Sequence, residues 1–441
     1  MRRIRQTVLD FKLTRTEETL TAHGGLALLA EYSHGLGLRA VVDRYLPAPG
    51  SPRGYAPSVF VDALVLLLQA GGRHLEDLRD LEREAALRQL VGCDPLPDPD
   101  TVGDWLRRMG DPQTGQAGLD GLGVVRDTLT TRILRRDAAS DYTLDADAMQ
   151  VEAEKREAQW TYQKVQGYMP MLGFLFEPGL CLLDEFREGN VSPQTDQLGF
   201  YRQCQERLPA GKRIARYRAD SASYPAALIN ALETDTVAWA ITADQDAAVK
   251  AVIRALPEAA WTEPVVGCGY ALAETVHTMT DTRWAFRLIV KRWLKPQPSL
   301  LDDPAEPYAY HAVASNWPEA AKTTAEVLAW HNQRGQAENF NKELKGGFGL
   351  EQLPCGQFGA NAVFFRLGVL AYNLFIGFKR LACPEAWARH TIATVRWKLI
   401  QIAGRIVRHA GQVILRLVAD ADLLALCHGI RARSWAVSQA P

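Results

Sequence analysis

Apolar positions recur at helical spacing from residue 20 to residue 135, in GGLALLAEYSHGLGLRAVVDRYL and again in PSVFVDALVLLLQAGGRHLEDLRDLE, with the turn-rich PAPGSPRGYAP between them. The pattern predicts an all-α N-terminal domain, residues 1–140. Inside it, Thr101 is the expected N-cap of a short helix, VGDWLRRMG, that turns Trp105 inward and presents Arg107 and Arg108. After Asp141 the texture changes. DYTLDAD, GYMPMLGFLFEP and LCLLDEFREGN read as strands, with a hairpin turn at Pro178 and Gly179. SPQTDQLGFYRQCQERL is then a helix, KRIARYRAD a strand, YPAALINALE a helix, TVAWAITA a strand and DQDAAVKAVIRAL a helix.

The order βββαβαβα over residues 141–260 has a topological consequence. A helix between the third and fourth strands lets the fourth lie parallel beside the first, as a ribonuclease H-like sheet requires. The first strand ends at Asp147 and the fourth at Asp220, so the sheet would unite two carboxylates that are distant in sequence. Residues 261–317 are less regular, with the β-rich TRWAFRLIVKRWLK and the Pro-rich KPQPSLLDDPAEP, and read as an inserted β-rich unit. Pro318 then opens a long expected helix, PEAAKTTAEVLAWHNQRGQAENFNKELK. NAVFFRLGVLAYNLFIGFKRL follows as a buried packing helix closing the segment 318–382, and 383–441 is a basic C-terminal segment.

Composition adds little to this picture and subtracts nothing. With 441 residues, 47% hydrophobic and 23% charged, the chain has ordinary globular composition and the length of two or three structural units. The formal net charge of -1 gives no global sign of a polyanionic partner. Charge clusters locally, however: Lys342, Lys345, Arg366, Lys379, Arg380, Arg389, Arg396, Lys398, Arg405, Arg408 and Arg416 face only Glu343, Glu351 and Glu385 between residues 341 and 416. The seven cysteines are scattered without CxxC or Cys/His ligand spacing, which suits a reducing cytoplasm. No signal peptide and no run of about 20 apolar residues is read, so a membrane partner is not expected.

The chemistry concentrates in the helix after Pro318. At about 100° per residue, His331, Arg334, Glu338 and Lys345 project within about 60° of one another. Glu338 with Lys342 is also an ordinary i,i+4 pair, the plainer reading of the same residues. Placed beside a sheet that offers Asp147 and Asp220, Glu338 completes a trio of carboxylates whose mutual repulsion calls for cations. Oxygen ligands without a His or Cys cluster select Mg²⁺, with Mn²⁺ as substitute. Two such ions serve in-line phosphoryl transfer, with Arg334 and Lys345 holding phosphates. Asp145 and Asp147 are two apart on one strand and share a face, so either is a possible metal ligand.

HNQRGQAENFNKELKGGF resembles the Y-(2)-R-(3)-E-(6)-K signature of cut-and-paste DDE transposases of bacterial insertion sequences, with Arg334, Glu338 and Lys345 in register. LDADAM is similar to that family's first-aspartate motif and YRADSASY to its second, and the resemblance runs from about residue 20 to residue 420. His331 stands where the signature has tyrosine, and Met149 where a threonine commonly follows the first aspartate. The resemblance implies Asp147, Asp220 and Glu338 as catalytic metal ligands, with Asp145 as the alternative first ligand. It further implies double-stranded DNA, namely terminal inverted repeats and target, as the substrate, and a homodimer pairing two ends.

DNA contacts are expected at His331, Arg334, Lys342 and Lys345, and at Arg107 and Arg108 if their helix belongs to a helix-turn-helix. In the insertion, Arg283, Arg287 and Lys291 would share a strand face joined by Trp293, suited to holding phosphates and stacking a base. The alternative reading of the whole chain is a catalytically inactive, transposase-derived DNA-binding protein. A glycosidase using paired carboxylates would leave Arg334 and Lys345 unexplained.

Overall fold

The computed structural model describes residues 8, 11–113, 116–295 and 307–439; the Pro-rich stretch between Lys295 and Pro307 lies outside them. A short strand β1 (Leu20–Thr21) precedes seven helices: α1 (Leu26–Gly35), α2 (Leu38–Tyr45), α3 (Pro57–Ala70), α4 (Leu78–Glu82), α5 (Ala85–Leu90), α6 (Pro99–Gly110) and α7 (Gln116–Leu134). α3 is apolar nearly all round, and Phe60, Val61, Leu64, Leu67 and Leu68 are all buried, as expected of a helix enclosed by others. α6 begins three residues earlier than its sequence suggests. Asp98, rather than Thr101, is the cap: its carboxylate accepts from the Thr101 amide at 2.9 Å, and Pro99 occupies the first turn.

The strands are β2 (Asp141–Ala148), β3 (Val151–Glu152), β4 (Gln159–Trp160), β5 (Gln166–Tyr168), β6 (Met171–Leu175) and β7 (Leu180–Glu185). After α8 (Gln197–Glu206) come β8 (Arg213–Ala219), α9 (Ala226–Thr234), β9 (Ala238–Thr242) and α10 (Ala247–Arg254). Next are β10 (Ala271–His277), β11 (Phe286–Leu294) and β12 (Tyr308–Ser315). One eight-stranded mixed sheet has the order β10-β11-β12-β9-β8-β2-β6-β7. β2 and β8 are parallel, with Ala146 opposite Ala219, and β8 and β9 are parallel; the other pairings are antiparallel. The crossover through α8 is what makes the β2–β8 pairing parallel.

The strands of residues 261–317 do not form a body of their own. β12 pairs with β9 through Val313–Ser315, and β11 and β10 continue outward, so the insertion lengthens the main sheet. The physical reason is the edge that β9 would otherwise leave, a row of unpaired backbone groups that β12 satisfies. A separate small sheet, β3-β5-β4, fills the connection between β2 and β6; the stretch GYMPMLGFLFEP, expected as one strand, is divided at Met169 and Pro170 between β5 and β6, and β3 and β4 had no counterpart in the sequence pattern.

The long helix expected from Pro318 is broken. It starts at Thr324, capped reciprocally by Thr323 and Glu326, and runs as α11 (Thr324–Asn332) and α12 (Gly335–Lys342), ending in a π-turn over Glu343–Gly347. The apolar helix α13 (Phe358–Gly377) packs against α3, α6, α7 and β7, joining the helical layer to the sheet. With the turn that follows it, Phe358–Ala382 is apolar and long enough to cross a membrane, yet its most apolar window is 94% buried in the protein, as befits a core helix. α6 and α13 touch backbone to backbone: a Cβ on Gly110 would lie 2.1 Å from the Gly359 carbonyl carbon.

The remainder is α14 (Ile392–Val395), the hairpin β13 (Gly404–His409) and β14 (Gln412–Leu417), and α15 (Ala421–Gln439). β13 pairs with β1, and α15 packs on α1, so the two ends of the chain share one core. Part of the C-terminal charge is structural. Arg396 donates to the Leu68, Gln69 and Gly347 carbonyls at 2.6, 2.9 and 2.7 Å, closing the end of α3, and burial pushes its guanidinium down to about 10. Lys379 is buried and donates to the His390 carbonyl at 2.7 Å.

Candidate active site

Asp147 and Asp220 stand at the ends of adjacent parallel strands, one register position beyond the Ala146–Ala219 pair. Asp220 begins a short 3₁₀ turn and accepts from the Ala222 amide at 2.9 Å. α12 lies over β2, seated by buried Ala337 and by Phe340, whose ring is 5.1 Å from that of Phe174 on β6. That seating leaves Glu338 on the rim, with a side chain 54% exposed.

Arg334 bridges the two elements. Its Nη1 is 3.7 Å from an Asp147 oxygen and its Nη2 3.9 Å from a Glu338 oxygen. Glu338 therefore pairs with Arg334 rather than with Lys342, which is exposed. Burial pushes the Asp147 carboxyl up to about 7; Arg334 opposes the shift, while the neighbouring Asp220 and Glu338 charges add to it. Lys345, in the π-turn, is half-buried and held below its usual range by that burial, with Glu351, Glu152 and Asp147 near enough to oppose the shift.

These groups converge without forming a closed cage: among the described residues, no three His, Cys, Asp or Glu side chains are set to hold a metal ion. The donor chemistry nonetheless fits a hard divalent cation. A partly buried carboxylate flanked by two others, with one shared arginine at more than hydrogen-bond distance, is short of positive charge, and all the acidic donors are oxygens.

Asp145 has a different environment. Arg218 of β8, opposite it in the parallel register, donates to both of its oxygens at 2.7 and 2.8 Å, and both side chains are fully buried. The pair commits both carboxylate oxygens, which removes the ground for treating Asp145 as equivalent to Asp147. Burial pushes the Asp145 carboxyl up to about 6, with Arg218 pulling the other way. Arg218 also donates to the Trp330 carbonyl at 2.9 Å and reaches Gln333 Oε1 at 3.3 Å, so it holds the junction between α11 and α12.

His331 was expected on the phosphate-facing stripe, but the break after α11 turns it inward. It is 3% exposed, and its Nε2 donates to the Ala219 carbonyl at 3.2 Å with Thr242 Oγ1 at 3.3 Å. Burial pushes the imidazole down to about 4, so it is neutral near pH 7. It braces the residue that precedes Asp220.

The expected basic face of the insertion divides as well. β11 starts at Phe286, so Arg283 lies in the preceding turn rather than on the strand. Arg287 is bound by both oxygens of Glu274 at 2.6 Å and donates to the Trp317 and Lys322 carbonyls, which occupies its fork. Lys291 remains beside aromatic rings, its Nζ 4.2 Å from the centroid of Tyr270 and 5.6 Å from that of Trp293. On α6, Trp105 stacks on Phe60 at 4.9 Å, while Arg107 and Arg108 are exposed; Arg107 pairs with Asp104 at 2.5 Å. Arg108 lines an open cavity of about 490 Å³ with Arg53, Tyr55 and Trp105.

The sequence matches the transposase DDE domain group 1 family over residues 9–430. The chain belongs to that family. No curated protein matches the sequence. Among solved structures, it is similar to a piggyBac transposase synaptic complex with hairpin DNA, at 11% identity and a TM-score of 0.42, covering 86% of this chain and 80% of that one. Two polar residues of this DDE-domain chain escaped sequence reading. Arg218 needed the strand register to reveal its partner; Asn341, whose Nδ2 donates to Asp147 at 2.9 Å, sits one turn beyond Glu338 and was open to detection by helical spacing.

Proposed function

We propose that this DDE-family protein is a DNA transposase of the bacterial insertion-sequence, cut-and-paste type, cleaving strands at element ends and joining them to target DNA. The observation that carries the reading is the convergence of Asp147, Asp220 and Glu338 at the ends of two adjacent parallel strands and one helix, in a chain of this family. The sheet order, three antiparallel strands followed by two parallel ones reached through helices, supports a ribonuclease H-like catalytic core. In this reading the helical N-terminal domain binds terminal inverted repeats, a homodimer pairs two ends, and the protein works in the cytoplasm on nucleoid DNA.

Asp147, Asp220 and Glu338 would hold the divalent cation, Mg²⁺ or Mn²⁺. When bound there, it supplies Lewis-acid activation of a water or 3′-hydroxyl and stabilisation of the leaving oxygen. The chain's own residues bind and orient the substrate. Arg334 offers a two-pronged guanidinium and Lys345 a point charge to the phosphates flanking the scissile bond, and both stand beside Asp147. Arg218 and His331 hold α11 and the end of β8 so that the carboxylates stay in register.

Glu338→Gln tests this reading. It keeps side-chain size, removes the charge and leaves the fold's buried contacts untouched, since Glu338 is on the rim. Strand cleavage with Mg²⁺ or Mn²⁺ should fall to background while binding to the element ends stays within about twofold. Normal cleavage by Glu338→Gln would remove Glu338 from the chemistry and reduce it to an ion-pair partner of Arg334.

A further inference from the structure

Asn341 is a polar side chain in contact with the carboxylate trio that the chemistry above leaves without a task. It is 8% exposed, lies on the buried face of α12 one turn beyond Glu338, and its amide nitrogen donates to Asp147 Oδ2 at 2.9 Å. The amide nitrogen faces Asp147, whose carboxyl oxygen accepts from it, and the amide oxygen is left over. That oxygen, Asn341 Oδ1, is buried and has no hydrogen-bond partner among the described residues. A buried amide oxygen left unsatisfied is destabilising, which makes it a candidate to receive a bound group.

The surroundings say what kind of partner. Nδ2 and Oδ1 share one carbon, so Oδ1 lies next to the contact with Asp147, the carboxyl on which the Asp220 and Glu338 charges also act. A neutral, hard oxygen donor beside three carboxylates suits a divalent cation. It adds a ligand without adding a negative charge to a cluster already short of positive charge, which a fourth carboxylate would do. Apolar residues would fill the position better if it were only a seat for the helix: Ala337 and Leu344, which flank it on the same buried face, are apolar and fully buried.

We propose that Asn341 Oδ1 is a ligand of the divalent cation held by Asp147, Asp220 and Glu338. The proposal rests on the metal-site reading above and adds a fourth, uncharged donor to it. The amide then has two tasks, its nitrogen fixing the rotamer of Asp147 and its oxygen facing the ion.

Mn²⁺ binding to the full-length protein, followed by titration calorimetry and by the electron paramagnetic resonance signal of the free ion, tests this without reference to cleavage. Asn341→Ala removes both atoms and should weaken Mn²⁺ binding by about tenfold or more, in the range of losses seen when groups around a metal are removed. Asn341→Asp keeps an oxygen and loses the donor to Asp147. It should lower the metal-free melting temperature through repulsion with Asp147, recover it on adding Mn²⁺, and bind Mn²⁺ at least as tightly as the native chain. Equal weakening in the two variants would mean that the nitrogen's hold on Asp147 is what matters, and would overturn the ligand role. Native affinity in Asn341→Ala, with an unchanged melting temperature, would also overturn it. Asp147→Asn separates the two levels: if it and the native chain bind Mn²⁺ alike, the metal-site reading itself is wrong and the ligand role falls with it. If Asp147→Asn loses binding while Asn341→Ala keeps it, only the fourth ligand is refuted.

Discussion

Two aspartates of the same sheet show how burial can serve opposite ends. Asp184 on β7 is completely buried and joins α7 to α13: Arg126 pairs with one oxygen, and Arg366 donates to the other at 2.9 Å. Despite the penalty of burial, the two arginines hold its carboxyl below the ordinary range. Asp147, in the same cross-strand row two strands away, shares with Glu338 an arginine 3.7 Å from its carboxyl and faces two further carboxylates, and its carboxyl is pushed up to about 7. A fully neutralised buried charge is a fastener. An under-neutralised one stores an affinity for something positive, and that difference in pairing separates framework from site.

The largest expected effects break each side of the comparison in turn. Asp147→Asn should bring metal-dependent cleavage to background with the melting temperature unchanged or raised, because it relieves repulsion; a large loss of stability would show that Asp147 is a fastener after all. Asp184→Asn should do the reverse, costing about 3–5 kcal/mol in denaturant unfolding by leaving two buried guanidinium groups without their counter-charge. A loss below about 1 kcal/mol would mean that the knot between α7, β7 and α13 is dispensable.

The pH dependence sharpens the contrast. Because the folded Asp147 carboxyl titrates near 7 and the unfolded one near the ordinary value, the folded chain holds the extra proton between those limits. Its contribution to the stability of the metal-free protein is therefore present at acid pH and is lost as pH rises from about 4 to about 7. Asp184 has the opposite sign, its contribution present above the ordinary carboxylate range and lost as pH falls below it. Unfolding free energies across pH 4–8 for the native chain and Asp147→Asn should differ by a slope over that window; parallel curves would contradict the assignment.

The smallest effect belongs to Arg334→Ala. It should slow cleavage and reduce the salt dependence of DNA binding by about one phosphate contact, read from binding at several salt concentrations. An unchanged salt slope would make Arg334 a partner of Asp147 and Glu338 alone.

How much of this was legible beforehand differs by element. α3, α13 and the alternation βββαβαβα were readable because their periodicity is strong and local. The break between α11 and α12 was not, since no glycine or proline within α11 forces it and Gly335 alone is a weak signal. The junction is held by Arg218, whose position opposite Asp145 depends on a strand pairing 73 residues apart in sequence. The same break explains why His331 left the stripe that a continuous helix would have given it.

By itself the sequence determined which residue types are available and where the periodic elements run: a helical N-terminal region, strands ending in Asp147 and Asp220, and a helix carrying Arg334, Glu338 and Lys345. Only the tertiary structure decided how charges are paired: that Arg218 takes Asp145 and leaves Asp147 exposed to its acidic neighbours, that Arg287 belongs to Glu274, that β12 continues the sheet beyond β9, and that Asn341 faces Asp147. The reason is physical. Periodicity is a property of adjacent residues and is written along the chain, whereas the partner of a charge or of a strand edge is fixed by groups that meet only after the chain has folded, through register and burial that no local pattern encodes.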